Sequence, residues 1–273
     1  MSKSYEKGKS TDRIEQEEEE IDIDIQESPI LFDDSSFVFK LKQGGSVRAF
    51  TRTRKPGIVD DRPLFVDNVW PGSKYLARFL DDDDEGNGIV DWSNKNVVEL
   101  GSGCALPSMI AAKRGAHLVV GTDYPAPGVV ETITEVFNAN GLGSRAVGCA
   151  LRWGNVQDEK ALLSILPETS QGFNLVLVAE PLWKDTVALH TDLAHSLSRL
   201  LAPNEPEAVI YISFCHRPND THKATHDLAF FEIASREFGL DSEKIKSVQG
   251  EYVDVMDSAP IDVHLYRLWR SNV

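Results

Sequence analysis

Between residues 96 and 269, short apolar runs alternate with longer amphipathic stretches. The runs at 96–100, 118–122, 146–151, 174–179 and 208–214 are too short for helices and are bounded by turn-forming residues, which predicts buried strands. The stretches between them place apolar residues at helical spacing, predicting helices over 106–114, 128–140, 158–166, 186–201 and 223–238. Two further strands, 245–248 and 264–269, follow with no helical stretch between them. Repeated β-α units imply a mostly parallel sheet covered on both faces. Two closing strands with a short connection imply an antiparallel pair at one edge. The expected fold class is therefore α/β, a doubly wound seven-strand sheet.

The N-terminal part follows another pattern. Phe37, Phe39 and Leu41 alternate with other residues, Gln43-Gly44-Gly45-Ser46 supplies a turn, and a second extended stretch runs from Val47 to Phe50. This predicts a small β-hairpin ahead of the sheet. Residues 52–63 are basic, carry two prolines and are expected to form a connecting loop. Leu76, Phe79 and Leu80 predict a helix over 73–80, ended by an acidic, glycine-containing loop over 81–88. Residues 1–35 hold the block Glu17-Glu18-Glu19-Glu20 with Asp22 and Asp24, and are expected to be a disordered acidic tail before a single domain over 36–273.

Composition narrows the class. The apolar share of the 273 residues, 41%, is that of an ordinary soluble protein, and no apolar run is long enough for a membrane span. The first residues are polar, so no secretory route is indicated. Cys104, Cys149 and Cys215 fit neither a zinc knuckle nor a redox pair, and suggest buried thiols in a reducing, cytoplasmic compartment. No histidine set has metal spacing; His222 and His226 stand at i and i+4 without a third partner, so no metal is expected. The net charge of −15 disfavours nucleic acid and suits a basic protein or cationic substrate, although acidity also serves solubility alone. A monomer is expected.

Candidate chemistry gathers at strand ends. Val97-Val98-Glu99-Leu100-Gly101-Ser102-Gly103 reads as strand, glycine turn and helix start, where backbone and helix-end N–H groups meet a ligand. Asp123 ends the next strand, 22 positions after Gly101, where a carboxylate can accept from both ribose hydroxyls of a nucleoside cofactor. The dinucleotide fingerprint needs a third glycine, and its position here holds Leu106. Glu99 would repel a pyrophosphate and attract the α-amino group of a methionine moiety. That favours S-adenosylmethionine over a dinucleotide, within a Rossmann-like frame. The competing reading pairs Glu99 with an internal arginine or lysine.

Glu99-Leu100-Gly101-Ser102-Gly103 resembles motif I of the seven-strand (class I) methyltransferases, with Ala105 where the third glycine usually stands. From about Phe65 to Trp269 the resemblance extends through Trp70, Thr122-Asp123-Tyr124-Pro125, Leu151-Arg152-Trp153-Gly154, Ala179-Glu180-Pro181-Leu182-Trp183 and Ser213-Phe214-Cys215-His216-Arg217-Pro218. This ordered set is similar to the non-SET protein lysine methyltransferases, especially nicotinamide N-methyltransferase-like proteins and elongation factor 1-alpha methyltransferases. The resemblance implies that Trp70 lies over the cofactor, Asp123 holds the ribose, Trp153 lies beside the adenine and Ala179 lies against the cofactor, with Gly101, Ser102, Gly103 and Tyr124 also binding it. An indole offers a flat apolar face to a purine, though core packing would also explain either tryptophan.

The same likeness implies protein amine methylation. Glu180 could accept a hydrogen bond from the amine and Trp183 stack against the target side chain. Alternatively, Glu180 caps the next helix and Trp183 is core. His216 and Arg217 could border the substrate mouth. The expected partner is a protein, basic or translation-related, with a small amine as alternative acceptor; a non-catalytic binding module of the same fold is the alternative from another class.

Overall fold

The apolar alternation near the N-terminus closes into an antiparallel hairpin, β1 (Ser36–Lys40) and β2 (Ser46–Phe50), around the Gly44-Gly45 turn. Both glycines have positive φ, which side chains other than glycine rarely adopt. In the computed structural model the described residues are 36–50, 58–59, 62–63, 68–82, 91–216, 223–253 and 258–271, within the compact unit Asp33–Val273. The expected tail, Arg217, Pro218, His222 and most of the acidic loop lie outside them. Part of the expected loop over 52–63 is instead a two-residue antiparallel pair, β3 (Ile58–Val59) with β4 (Arg62–Pro63).

α1 (Pro71–Asp81) starts with proline in its first turn, where the missing N–H has no helical partner to lose. Its Leu76, Ala77, Phe79 and Leu80 are buried. Then follow β5 (Asn96–Leu100), α2 (Leu106–Lys113), β6 (Leu118–Asp123), α3 (Val129–Ala139), β7 (Ala146–Ala150), α4 (Val156–Leu163), β8 (Leu175–Ala179), α5 (His190–Leu200), β9 (Val209–Cys215), α6 (Lys223–Phe238), β10 (Leu240–Val253) and β11 (Ser258–Arg270). The seven-strand sheet has the order β10-β11-β9-β8-β5-β6-β7. The strands from β5 to β9 pair in parallel, and β11 and β10 close the edge antiparallel.

This order bears out the expected mixed sheet. Right-handed crossovers to either side of β5 put α2 and α3 on one face and α5 on the other. α1 packs on α2 and β9; α5 packs against α4 and α6. The hairpin is tied to α3 by the Asn140 amide, which accepts from Arg48 N–H at 2.8 Å and donates to Arg48 C=O at 2.9 Å.

Several boundaries differ from those the sequence predicts, and three groups of them have a clear physical reason. α4 begins two residues earlier, because the Asn155 side chain accepts from the N–H groups of Gln157 and Asp158 and caps it. The helix expected from residue 186 is first a 3-10 turn, Lys184–Leu189, where Thr186 Oγ1 donates to carbonyls of Pro181 and Trp183. The closing strands are much longer than their apolar segments, since ladder pairing extends through polar residues, with an irregularity between Lys244 and Lys246.

Phe230 of α6 is fully buried and meets Phe231 and His190 edge-on. Phe230→Ala is expected to cost roughly 3–5 kcal/mol in urea unfolding, with the secondary structure retained.

Candidate active site

The strand order reverses beside β5: the chain leaves it toward β6 and β7, then returns to its other side as β8. The crevice beyond the carboxyl ends of such strands is where open α/β sheets take ligands. A cavity of about 320 Å³ stands there. Trp70, Gly101, Ser102, Gly103, Asp123, Tyr124, Trp153, Ala179, Glu180 and Trp183 all line it. Asn68, Ser73, Leu100, Cys104, Leu151, Arg152, Pro181, Thr186 and Leu189 complete the wall, a set the sequence motifs do not single out apart from their neighbours.

The floor is the loop after β5. Gly101 and Gly103 have φ of +69° and +48°. A Cβ on Gly101 would touch Trp153 Cζ2 at 3.4 Å, so the indole lies directly against the loop. Ala105, at the usual third-glycine position, keeps the left-handed conformation at φ +54° and begins α2. For an L-residue that conformation costs roughly 1–2 kcal/mol. The loop therefore preserves its backbone path with a small, strained residue in place of glycine.

Asp123 fastens this loop to β6. Oδ2 accepts from Gly103 N–H at 2.8 Å and Oδ1 from Tyr124 N–H at 2.7 Å. Burial raises the pKa of its carboxyl, opposed by those two N–H groups. Each oxygen retains acceptor capacity toward the cavity. Ser102 Oγ, also on the cavity, is buried without a partner among the described residues.

Glu99 is placed differently from the expected ligand contact. It is 0% exposed and absent from the cavity wall. Its Oε2 accepts from Ser108 N–H at 2.9 Å and Ser108 Oγ–H at 2.6 Å, joining β5 to the first turn of α2. No arginine or lysine is needed to explain it. Burial pushes its pKa up to about 8, with the Ser108 bonds pulling down and Asp123 adding to the rise. Strand alternation explains the placement: a strand covered on both faces aims this side chain under α2, not outward along the strand axis.

Glu180 is the second non-glycine among the described residues with positive φ, +56°. Its N–H donates to Ser213 C=O at 2.7 Å. Oε1 accepts from Gly72 N–H at 2.7 Å, and Oε2 stands 3.4 Å from Cys215 N–H. The carboxylate thus caps a helix, but α1 and not the helix that follows it. A Cβ on Gly72 would stand 2.7 Å from Glu180 Oε1 and 2.8 Å from Ser213 C=O, so only glycine allows this approach. A glycine in the first turn after proline was the available signal, though its partner lies 108 positions away.

Two consequences are measurable. Folded Glu99 keeps a proton that the unfolded chain has lost, so its contribution to stability is full below 4.5 and declines as pH rises to about 8. Glu99→Gln should flatten the pH dependence of unfolding free energy across that window, as read by urea melts; an unchanged slope would remove Glu99 as its source. Gly72→Ala should lower stability by about 1–3 kcal/mol and weaken binding of the expected S-adenosylmethionine by calorimetry, because the neighbouring backbone must shift.

Residues 65–237 match the lysine methyltransferase family. The protein N-terminal and lysine N-methyltransferase EFM7 of Candida glabrata is 34% identical over 196 residues, 70% of either chain. Its Schizosaccharomyces pombe counterpart, efm7, is 30% identical over 191 residues, 69% of either chain. A solved Streptococcus mutans structure described as a SAM-dependent methyltransferase has a TM-score of 0.51 at 17% identity, covering 87% of this chain and 56% of that one; it supports the fold alone. The glycine loop, the acid that ends β6 and this match over most of the folded domain agree: the chain belongs to the lysine methyltransferase family, enzymes of the class I fold that use S-adenosylmethionine as methyl donor.

Proposed function

We propose that this enzyme methylates a primary amine of a protein, a lysine side chain or an N-terminal α-amine. The observation that carries the proposal is one cavity with Asp123 and Trp153 at its donor end and Glu180 and Trp183 at the other. The names of the fungal relatives support the same acceptor class. The net charge of −15 favours a basic partner over nucleic acid. Three free cysteines fit action in the cytoplasm.

The site suits the donor. Asp123 would take the ribose hydroxyls, while Trp153 and Tyr124 border the adenine. Gly101, Ser102 and Gly103 cradle the methionine portion with Ala179 beside it, and the unpartnered Ser102 hydroxyl supplies a hydrogen bond there. Trp70, two residues before the N–H that Glu180 binds, covers the donor. Glu99 acts from behind, by holding α2 against the loop. When bound, the donor supplies a methyl group on a sulfonium for in-line displacement.

On the acceptor side the protein has to orient an uncharged amine and exclude water. Trp183 and Pro181 give an apolar wall for the aliphatic stem. The Glu180 carboxylate, held by the N–H groups of Gly72 and Cys215 and by the Cys215 thiol, stands beside this wall as the anionic group nearest the acceptor end.

Incubation of the full chain with methyl-labelled S-adenosylmethionine and a cell lysate should label a protein on an amine, identified by mass spectrometry. Asp123→Ala should weaken donor binding about 100-fold in calorimetry and abolish labelling in proportion. A labelled small amine with no labelled protein would overturn the acceptor assignment, and unchanged donor affinity in Asp123→Ala would remove its ribose role.

A further inference from the structure

The turn that carries Trp153 is fastened from three sides, and one fastening runs through buried groups that the donor site described above leaves unused. Leu151 N–H donates to Asp123 C=O at the end of β6, at 2.9 Å. The Arg152 guanidinium makes a two-pronged pair with Asp158 on α4, at 2.8 Å for each prong. Gly154 N–H donates to Ser196 Oγ on α5 at 2.8 Å, and Ser196 Oγ–H donates to Glu159 Oε1 on α4 at 2.7 Å. Ser196 and Glu159 are both 0% exposed.

The direction of this chain of bonds is fixed. A hydroxyl has one proton, and that of Ser196 goes to the carboxylate, so its oxygen meets Gly154 N–H as an acceptor. Behind it, Arg199 Nε stands 2.6 Å from Glu159 Oε2, and His195 Nδ1 stands 3.3 Å from Oε1. A carboxylate acceptor polarises the hydroxyl and strengthens the bond that the hydroxyl accepts. The turn also lies directly on the start of α5. Gly154 has φ +77°, and a Cβ there would stand 2.7 Å from Asp192 Oδ1.

Helix packing alone does not call for this arrangement. Apolar side chains of the same shape would join α4 to α5 about as well, since a buried polar pair gains little over them. What an apolar pair cannot supply is an acceptor for Gly154 N–H. Trp153 packs against the main core on one side and lines the cavity on the other. That apolar contact is non-directional, whereas the bond to Ser196 has a direction. Gly154 N–H and Trp153 Cα belong to one planar peptide unit. Holding the N–H therefore holds the plane from which the indole hangs, and the indole lies against Gly101.

We propose that Ser196, backed by Glu159, is a positioning residue for the methyl donor: it holds the Trp153–Gly154 peptide, and through it the indole that walls the adenine end of the cavity. The inference rests on the donor placement given above, in which Trp153 borders the adenine. Neither Ser196 nor Glu159 lines the cavity, so both act through Trp153.

Calorimetry with S-adenosylmethionine on the full chain tests this. Ser196→Ala should raise the donor Kd about 10-fold. With the acceptor labelled in the lysate, the donor KM should rise in step while kcat at saturating donor is kept. The deciding readout is a double-mutant cycle with Trp153→Ala. In a chain without the indole, Ser196→Ala should change Kd by less than about 2-fold, because nothing is left to position. Glu159→Gln keeps the shape and an acceptor oxygen, and it carries the same test should Ser196→Ala not fold. Its Kd should rise about 3-fold, again only where Trp153 is present. Unchanged donor affinity in these variants would overturn the inference. So would an equal loss with and without the indole, which would make the pair a brace between helices and nothing more. Unchanged affinity in Trp153→Ala alone would instead overturn the donor placement on which the inference rests.

Discussion

The Glu180 carboxylate joins three parts of the molecule. It sits at the end of β8, caps the first turn of α1 through Gly72 N–H, and faces the last residue of β9 through Cys215 N–H. A buried anion is costly unless fully engaged, and a helix N-terminus is one of the few neutral structures that stabilises it. The N-terminal segment carrying Trp70 is thereby held over the crevice of the sheet. The cavity exists because α1 is fastened at this point, and the absence of a side chain on Gly72 is what lets the two backbones approach.

The same region holds the backbone strain. Ala105 and Glu180 are the two non-glycine residues with positive φ among those described, and they flank the cavity at the ends of β5 and β8. Such conformations persist only where the surroundings over-determine them. Around Ala105 these are the Ala105 N–H bond to Ser102 C=O and the start of α2; around Glu180 they are the bonds to Ser213, Gly72 and Cys215. Both turns re-aim the chain where a strand would otherwise run past the ligand.

Three carboxyl groups stand in or behind the cavity wall, Glu99, Asp123 and Glu180, with exposures of 0%, 8% and 8%. Each accepts from backbone N–H groups, Glu99 from Ser108, Asp123 from Gly103 and Tyr124, and Glu180 from Gly72 and Cys215. Acidic groups here brace the loop, the strand end and α1 while leaving a negative lining. Glu99, with its pKa raised to about 8, braces the loop as a neutral acid, so a cationic donor or acceptor would meet only the carboxylates on the wall, Asp123 and Glu180.

Much of this was legible in the chain. The apolar runs predict the five parallel strands, because a strand buried on both faces needs a continuous apolar segment. Gly101, Gly103 and Asp123 mark the donor end through local chemistry, since a tight turn and a strand-end acid are properties of short segments. Trp70, Trp153, Glu180 and Trp183 were recognisable by their order. The long closing strands were less legible, because their polar residues are recruited by neighbours across the ladder.

The partners were decided elsewhere. Glu99 turns to Ser108, Glu180 to a glycine 108 positions earlier, and His216 to a carboxylate on the next helix. The sequence by itself determined the periodicity, the turns and the residue types of the site. Only the tertiary structure decided which buried acid meets which N–H group, because long-range approach depends on how two whole elements pack, and no local pattern contains it.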